Sequence, residues 1–146
     1  MTTTTELLAD FEARHARSPA ASRYTDAELE ILYAMVHGLY QQGNFEKAAS
    51  FFSVLTLYRP TSVRFLKGLA ASRFMSRSFE AAVSTYAFLV MLQPHDLEAQ
   101  CMYGNSLLMA GELGEARKVL RGVAAAEEGD LKFKDRAKAL LALIGH

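Results

Sequence analysis

One interval, 34 residues, constrains this chain more than any other feature. Phe45, Phe79 and Leu113 stand that far apart, as do Ala48, Ala82 and Ala116, then Phe52, Tyr86 and Leu120, and Pro60 with Pro94. That is the length of one helix, a tight turn, a second antiparallel helix and a link. The interval therefore predicts stacked helical hairpins, each of which buries its apolar face against the next. The stretch Val63 to Pro94 is the middle unit of the array, because its small and aromatic residues return on both sides.

Residue types predict how the hairpins pack and where they turn. Val36, Ala70 and Gly104 at the eighth place of each unit, and Ala48, Ala82 and Ala116 at the twentieth, let two helix backbones approach closely, while Phe52, Tyr86 and Leu120 fill the space beside them. The pattern gives repeat helices over Asp26 to about Gln42, Phe45 to Tyr58, Val63 to Met75, Phe79 to Leu92, Leu97 to Ala110 and Leu113 to Ala126. Thr25 with Glu28 forms a capping box, and Asn44, Thr61, Ser62 and Ser78 are read as further helix caps. Gly43 and Gly111 supply turns that need positive φ, whereas Ser76-Arg77-Ser78 turns without a Gly. Asp130 caps a last helix, Leu131 to Ile144, in which Leu131, Ala137, Leu140, Leu141 and Ile144 are expected to face inward and Lys132, Lys134, Asp135, Arg136 and Lys138 to face water. Before the array, Thr3 and Glu6 have capping-box spacing. Leu7, Leu8, Phe11 and His15 then share one face of a short helix that ends before Ser18-Pro19.

Composition narrows the class of function. The chain has 146 residues, enough for one domain with a real core, and 16 basic against 16 acidic side chains give no net pull toward nucleic acid or anionic lipid. No apolar run has the length of a membrane span and no leader pattern opens the sequence, so a cytoplasmic home and no stable membrane insertion are expected. His15, His37, His95 and His146 lack metal-ligand spacing, and no nucleophile, phosphate-loop or paired-carboxylate motif is present. No catalytic residue, metal or cofactor is predicted, and the single Cys101 reads as a packed thiol rather than a nucleophile.

Curling of such hairpins leaves the first helix of each pair on a concave face, where an extended peptide can lie. The inward places there hold Tyr33, His37 and Tyr40 in the first unit, Lys67, Gly68, Ala71, Phe74 and Met75 in the second, and Cys101, Asn105, Leu108 and Met109 in the third. Tyr40, Phe74 and Leu108 share one phase, with Gln41, Met75 and Met109 beside them. Tyr and Met suit a docking surface for a peptide with spaced apolar anchors, the competing possibility being that these side chains are used up in packing.

From Leu29 to about Ala126 the pattern resembles the tetratricopeptide repeat (TPR), with its recurring small residues, aromatics, fixed Ala and late Pro. The resemblance implies an all-α fold: a TPR-like right-handed superhelix of three helix-turn-helix repeats with an N-terminal helix and a C-terminal capping helix. The corresponding spans are 1–24 for the N-terminal helix and link, 25–128 for the repeats (about 29–62, 63–96 and 97–128) and 129–146 for the cap. The TPR proteins that grip a C-terminal carboxylate use Lys, Asn and Arg at places held here by Tyr33, His37, Ala71 and Cys101, with only Asn105 agreeing, so no such clamp is expected.

Three repeats, a helix on either side and about this length are similar to the class II chaperones of bacterial type III secretion. L-Y-A-M-V-H-G-L-Y-Q-Q-G-N-F-E-K-A-A-S-F-F at 32–52 resembles that family's first repeat, and S-V-R-F-L-K-G-L-A-A-S-R-F at 62–74 the opening of its second. The likeness implies a cytosolic, non-enzymatic chaperone whose groove takes an N-terminal segment of hydrophobic translocator subunits. It also implies a possible homodimer, for which Leu7, Leu8 and Phe11 are the candidate contacts. The alternative is a TPR scaffold or a needle-subunit co-chaperone that binds a partner helix.

Overall fold

The computed structural model describes residues 6, 8–10 and 24–145. Among these, all regular structure is helical: α1 (Asp26–Gln41), α2 (Phe45–Tyr58), α3 (Val63–Met75), α4 (Phe79–Leu92), α5 (Leu97–Met109), α6 (Leu113–Ala124) and α7 (Leu131–Ile144), with residues 8–10 helical as well. The spans follow the sequence pattern to within two residues, α5 and α6 stopping slightly early. The chain forms two compact units, Met1–Ser76 and Arg77–His146.

In the first unit, α1, α2 and α3 pack around Leu29, Leu32 and Val36 from α1, Ala48, Phe51, Phe52 and Leu55 from α2, and Phe65 and Leu69 from α3. Phe52, Leu29 and Leu55 are fully buried, each contributing about 1.5–3 kcal/mol of apolar transfer. Val36 and Ala48 are also sealed, as their small size at the helix crossing requires. Arg59, just past α2, ties that end to the start of α1 through Asp26 at 2.5 Å.

Two kinds of helix entry alternate along the chain, and backbone torsion separates them. Thr25, Ser62, Asp96 and Asp130 precede α1, α3, α5 and α7 with ψ of 161°, 112°, 99° and 123°, and each side chain accepts a hydrogen bond from the first turn of its helix. At Thr25 the box is complete: Oγ1 accepts from the Glu28 N–H at 3.1 Å while the Thr25 N–H donates to Glu28 Oε1 at 3.0 Å. Asn44, Ser78 and Glu112 precede α2, α4 and α6 with ψ of 68°, 66° and 69°, and none makes a side-chain capping bond. The expectation that Asn44 and Ser78 cap their helices is therefore corrected. Their backbone leaves the preceding turn too sharply for the side chain to reach back, which is why Glu112 serves equally well in the same place.

That sharp turn closes the preceding helix in the same way at Gly43 and Gly111. Gly43, at φ 83°, donates to the Tyr40 carbonyl at 3.0 Å and Asn44 to that of Leu39 at 2.9 Å; Gly111, at φ 87°, donates to Leu108 at 3.1 Å and Glu112 to Leu107 at 2.9 Å. This is the Schellman pattern, whose first residue past the helix must be left-handed. Arg77 occupies the equivalent place at φ 66°, and is the one non-glycine with positive φ among the described residues.

The second unit packs α4 on α5, α5 on α6, and α7 over both α5 and α6. Cys101, Leu120, Val123, Ala137 and Leu141 form a core there, flanked by Leu97, Phe133, Leu140 and Ile144. Gly104 permits the close approach of α5 and α6, since a β-carbon on it would stand 2.6 Å from Leu120 Cδ2. Leu131, expected to face inward, is 63% exposed. At 100° per residue it falls outside the arc occupied by Phe133, Ala137, Leu140, Leu141 and Ile144.

Candidate functional site

On α1, Tyr33, His37 and Tyr40 recur at intervals of four and three and so lie on one face. Their rings run along the helix, with Tyr33 and His37 centroids 5.9 Å apart and His37 and Tyr40 6.3 Å apart, tilted by 31° and 30°. The Tyr40 ring meets Phe45 edge-on at 5.2 Å, which anchors the row to the first residue of α2. Across from it, α3 presents Lys67, Gly68 and Ala71, and Phe52 of α2 lies among them. Together these seven residues line an open depression of about 150 Å³.

The other end of the aromatic row is braced by charge. The Arg64 guanidinium lies over the Tyr33 ring at 4.4 Å, and Arg64 Nη1 donates to both Glu30 oxygens at 2.8 and 2.7 Å. Hydrogen bonding to Glu30 raises the Arg64 pKa above its ordinary value, so this cation stays charged beside Tyr33. Tyr33 also stacks on Phe65 at 5.6 Å with a 23° tilt, so its ring is held by contacts from α3 as well as by its neighbours on α1. Burial pushes the Tyr40 phenol up from its ordinary value, which keeps it a neutral hydroxyl. No carboxylate is among the lining residues. Aromatic walls, polar tips and an apolar floor are suited to holding an apolar side chain while the rim meets the backbone that carries it.

The predicted groove residues divide sharply. Tyr33, His37, Tyr40, Lys67 and Ala71 do come together. Phe74 is half-buried and Met75 44% exposed at the end of α3, outside the lining of this depression. In the second unit Asn105 and Leu108 are half-buried on α5, and Met109 edges a separate depression of about 510 Å³ beside Arg77, Phe79 and Ala110. Cys101 is corrected as a groove residue: it is completely buried beneath α7, against Ala137 and Leu141. Burial raises its thiol pKa, with Arg136 pulling weakly the other way, in keeping with a packed thiol.

Leu8 is likewise corrected as a dimer contact, because it lies 3% exposed in the first-unit core with Leu29 and Leu32. Leu7 and Phe11 fall outside the described residues. Phe52, expected from the repeat as a packing residue, also belongs to the site. Its signal was the glycine at 68, whose lack of a side chain lets α3 lie directly against the Phe52 ring, which stays fully buried at the edge of the depression.

The tetratricopeptide repeat family model matches residues 37–61 and 64–96. Low calcium response locus protein H of Yersinia pestis is 29% identical over 92 residues, which are 63% of this chain and 55% of that protein, so the chain spans little more than half of that relative's length. Chaperone protein SicA of Salmonella typhimurium is 30% identical over 115 residues, covering 79% of this chain and 68% of SicA. Among solved structures, the Yersinia enterocolitica type III secretion chaperone SycD in complex with a peptide of the translocator YopD superposes with a TM-score of 0.73 at 25% identity, over 84% of this chain and 96% of that one.

Proposed function

This chain belongs to the TPR-containing class II chaperones of bacterial type III secretion, the family of SicA, and from that membership we propose that it binds an extended segment of a translocator protein. The observation that carries the proposal is the depression between α1 and α3, where six residues expected on the peptide-binding face converge beside Phe52. One apolar anchor of the partner enters it, and the chain on either side runs over His37, Lys67 and the tyrosine tips. Masking an apolar stretch in this way lowers the aggregation hazard of a protein destined for a membrane.

A void of about 150 Å³ accommodates a group the size of benzene, so the depression receives one side chain of the partner. The same reading makes the protein a non-catalytic cytosolic chaperone. Kinship with chaperones supports this, and no helix among the described residues is long and apolar enough to cross a membrane.

Co-expression with the translocator subunits and, separately, the needle subunit of the same secretion system tests the proposal by affinity capture. Translocator is expected to co-purify with the wild-type chain. His37→Ala with Tyr40→Ala, both in the lining of the depression, is expected to abolish capture while circular dichroism shows unchanged helix content. Capture of the needle subunit alone would overturn the translocator reading in favour of a helix-binding co-chaperone.

A further inference from the structure

The chain as a whole is neutral, yet α7 is not. Lys132, Lys134, Arg136 and Lys138 stand there against one carboxylate, Asp135. Lys132, Arg136 and Lys138 are exposed and Lys134 is half-buried, and none of the four is in an ion pair among the described residues. The nearest other acids in sequence, Glu127, Glu128 and Asp130, all precede the helix, and Asp130 accepts from the Lys132 N–H at 2.9 Å. Lys138 lies roughly 12 Å along the axis from Asp130, beyond the Debye length of about 8 Å at physiological ionic strength. Those acids therefore act on the first turn of α7 and not on its later cations.

The same helix exposes apolar side chains between its charges. Leu131 is 63% and Leu143 77% exposed, and Ala139 and Ala142 are exposed as well. At about 100° per residue these four fall on the side of α7 opposite the buried Ala137, with Asp135 the one acid among them. Lys134 and Lys138 border that side along one edge, Lys132 and Arg136 along the other. Ala137 and Leu141 pack into the core beneath, so the inner face of the helix fixes it in place while the outer face, apolar with cations on both flanks, is turned to solvent.

We infer that α7 is a docking surface for an anionic lipid bilayer, on which the helix lies flat with Leu131 and Leu143 between the headgroups and the flanking cations on their phosphates. The sign of the charge selects an anionic partner. The convex strip of leucines and alanines selects a fluid interface, since a folded acidic protein would have to supply a matching groove. Lys and Arg suit the flanks because their methylene stems cover apolar surface while the charged heads reach outward. No helix among the described residues is long and apolar enough to cross a membrane, so the contact is peripheral. Each cation near such a surface strengthens binding roughly fivefold, and salt weakens the effect. The depression between α1 and α3 belongs to the other unit, so bilayer and partner segment are bound by separate parts of the chain.

Co-sedimentation of the full chain with vesicles tests this, using phosphatidylcholine alone and an equal mixture of phosphatidylcholine and phosphatidylglycerol. The wild type should bind the mixture and not phosphatidylcholine alone, less tightly as salt rises. Lys134→Gln with Lys138→Gln should weaken binding roughly 25-fold, and Lys138→Gln alone, at an exposed position, decides the matter if the pair misfolds. The chain contains no Trp, so Leu143→Trp reports from one position only. Its emission should move to shorter wavelength with the mixed vesicles, whereas that of Leu57→Trp, exposed on α2 in the other unit, should not. Equal binding to both vesicles, an unmoved Leu143→Trp spectrum, or undiminished binding by the folded lysine variants overturns the inference and leaves the chaperone reading standing. Binding of polyglutamate without binding of the mixed vesicles overturns it in favour of an acidic protein partner.

Discussion

Arg64 lies over the ring of Tyr33 with its guanidinium carbon 4.4 Å from the ring centroid, while Glu30, three residues before Tyr33, receives both of its hydrogen bonds from the same guanidinium. Two residues of α1 thereby hold one residue of α3, and the ring so held is a wall of the binding depression. Cation and carboxylate are both exposed enough for water to compete, so the arrangement bears on where Tyr33 points more than on stability.

Arg64→Ala is expected to leave helix content and cooperative unfolding intact while weakening ligand capture, because Tyr33 gains freedom to rotate. Arg64→Lys should behave like Arg64→Ala, since an ammonium cannot combine a two-oxygen contact with planar stacking. Isothermal titration with a captured translocator segment checks both. Wild-type affinity in the two variants would remove Arg64 from the site.

Arg77 in left-handed conformation carries a steric cost that Gly43 and Gly111 avoid in the sister turns. Arg77→Gly relieves it, against the greater freedom of glycine in the unfolded chain and the loss of the Arg77 contact with the Phe79 ring at 5.8 Å. The expected net gain is about 0.5–1 kcal/mol, read as a midpoint rise of roughly 1–4 °C in thermal unfolding.

Ser72 and Ser106 stand 34 residues apart, completely buried, with hydroxyl oxygens that have no hydrogen-bond partner. Desolvating such a group costs free energy that an alanine methyl does not incur. Ser72→Ala and Ser106→Ala are each expected to stabilise by about 1 kcal/mol, measured by urea unfolding at equilibrium. Loss of stability in both would mean that the hydroxyls find partners in solution.

Cys101 links stability to pH with a definite sign. Burial raises its pKa in the folded chain, so its contribution is complete below the unfolded thiol's pKa of about 8.5 and is lost as pH rises from there through the folded value. The wild type should therefore lose stability more steeply than Cys101→Ala above about pH 8.5. Alkylation of the native thiol should be slow at pH 8 and become fast only in denaturant. Cys101→Ser, which places a hydroxyl where the thiol is sealed, should destabilise by about 1–3 kcal/mol.

The helices and their order were legible because two periods are written into the residues, 3.6 within each helix and 34 between hairpins. Thr25 and Glu28 announced the start of α1, Gly43 and Gly111 the tight turns, and Asp130 the last helix. The face of α1 that bears Tyr33, His37 and Tyr40 followed from the same spacing. Reading caps from residue type alone failed at Asn44 and Ser78, where the torsion imposed by the preceding turn outweighs a side chain that could in principle reach back.

Periodicity determines, without coordinates, which residues share a helix face, because that depends only on backbone rise and rotation. It is blind to what covers the face. Cys101 has the phase of an inward residue, yet α7, which lies outside the repeat, folds over α5 and seals it. Leu8 is taken into the first core for the same kind of reason. The meeting of Gly68 with Phe52 is a contact between different helices, measured in tenths of an ångström, and no interval along the chain encodes it. Tertiary packing decided that the depression exists and how deep it is, because an opening is made by the distance between neighbouring helices and the side chains that stop short of filling it.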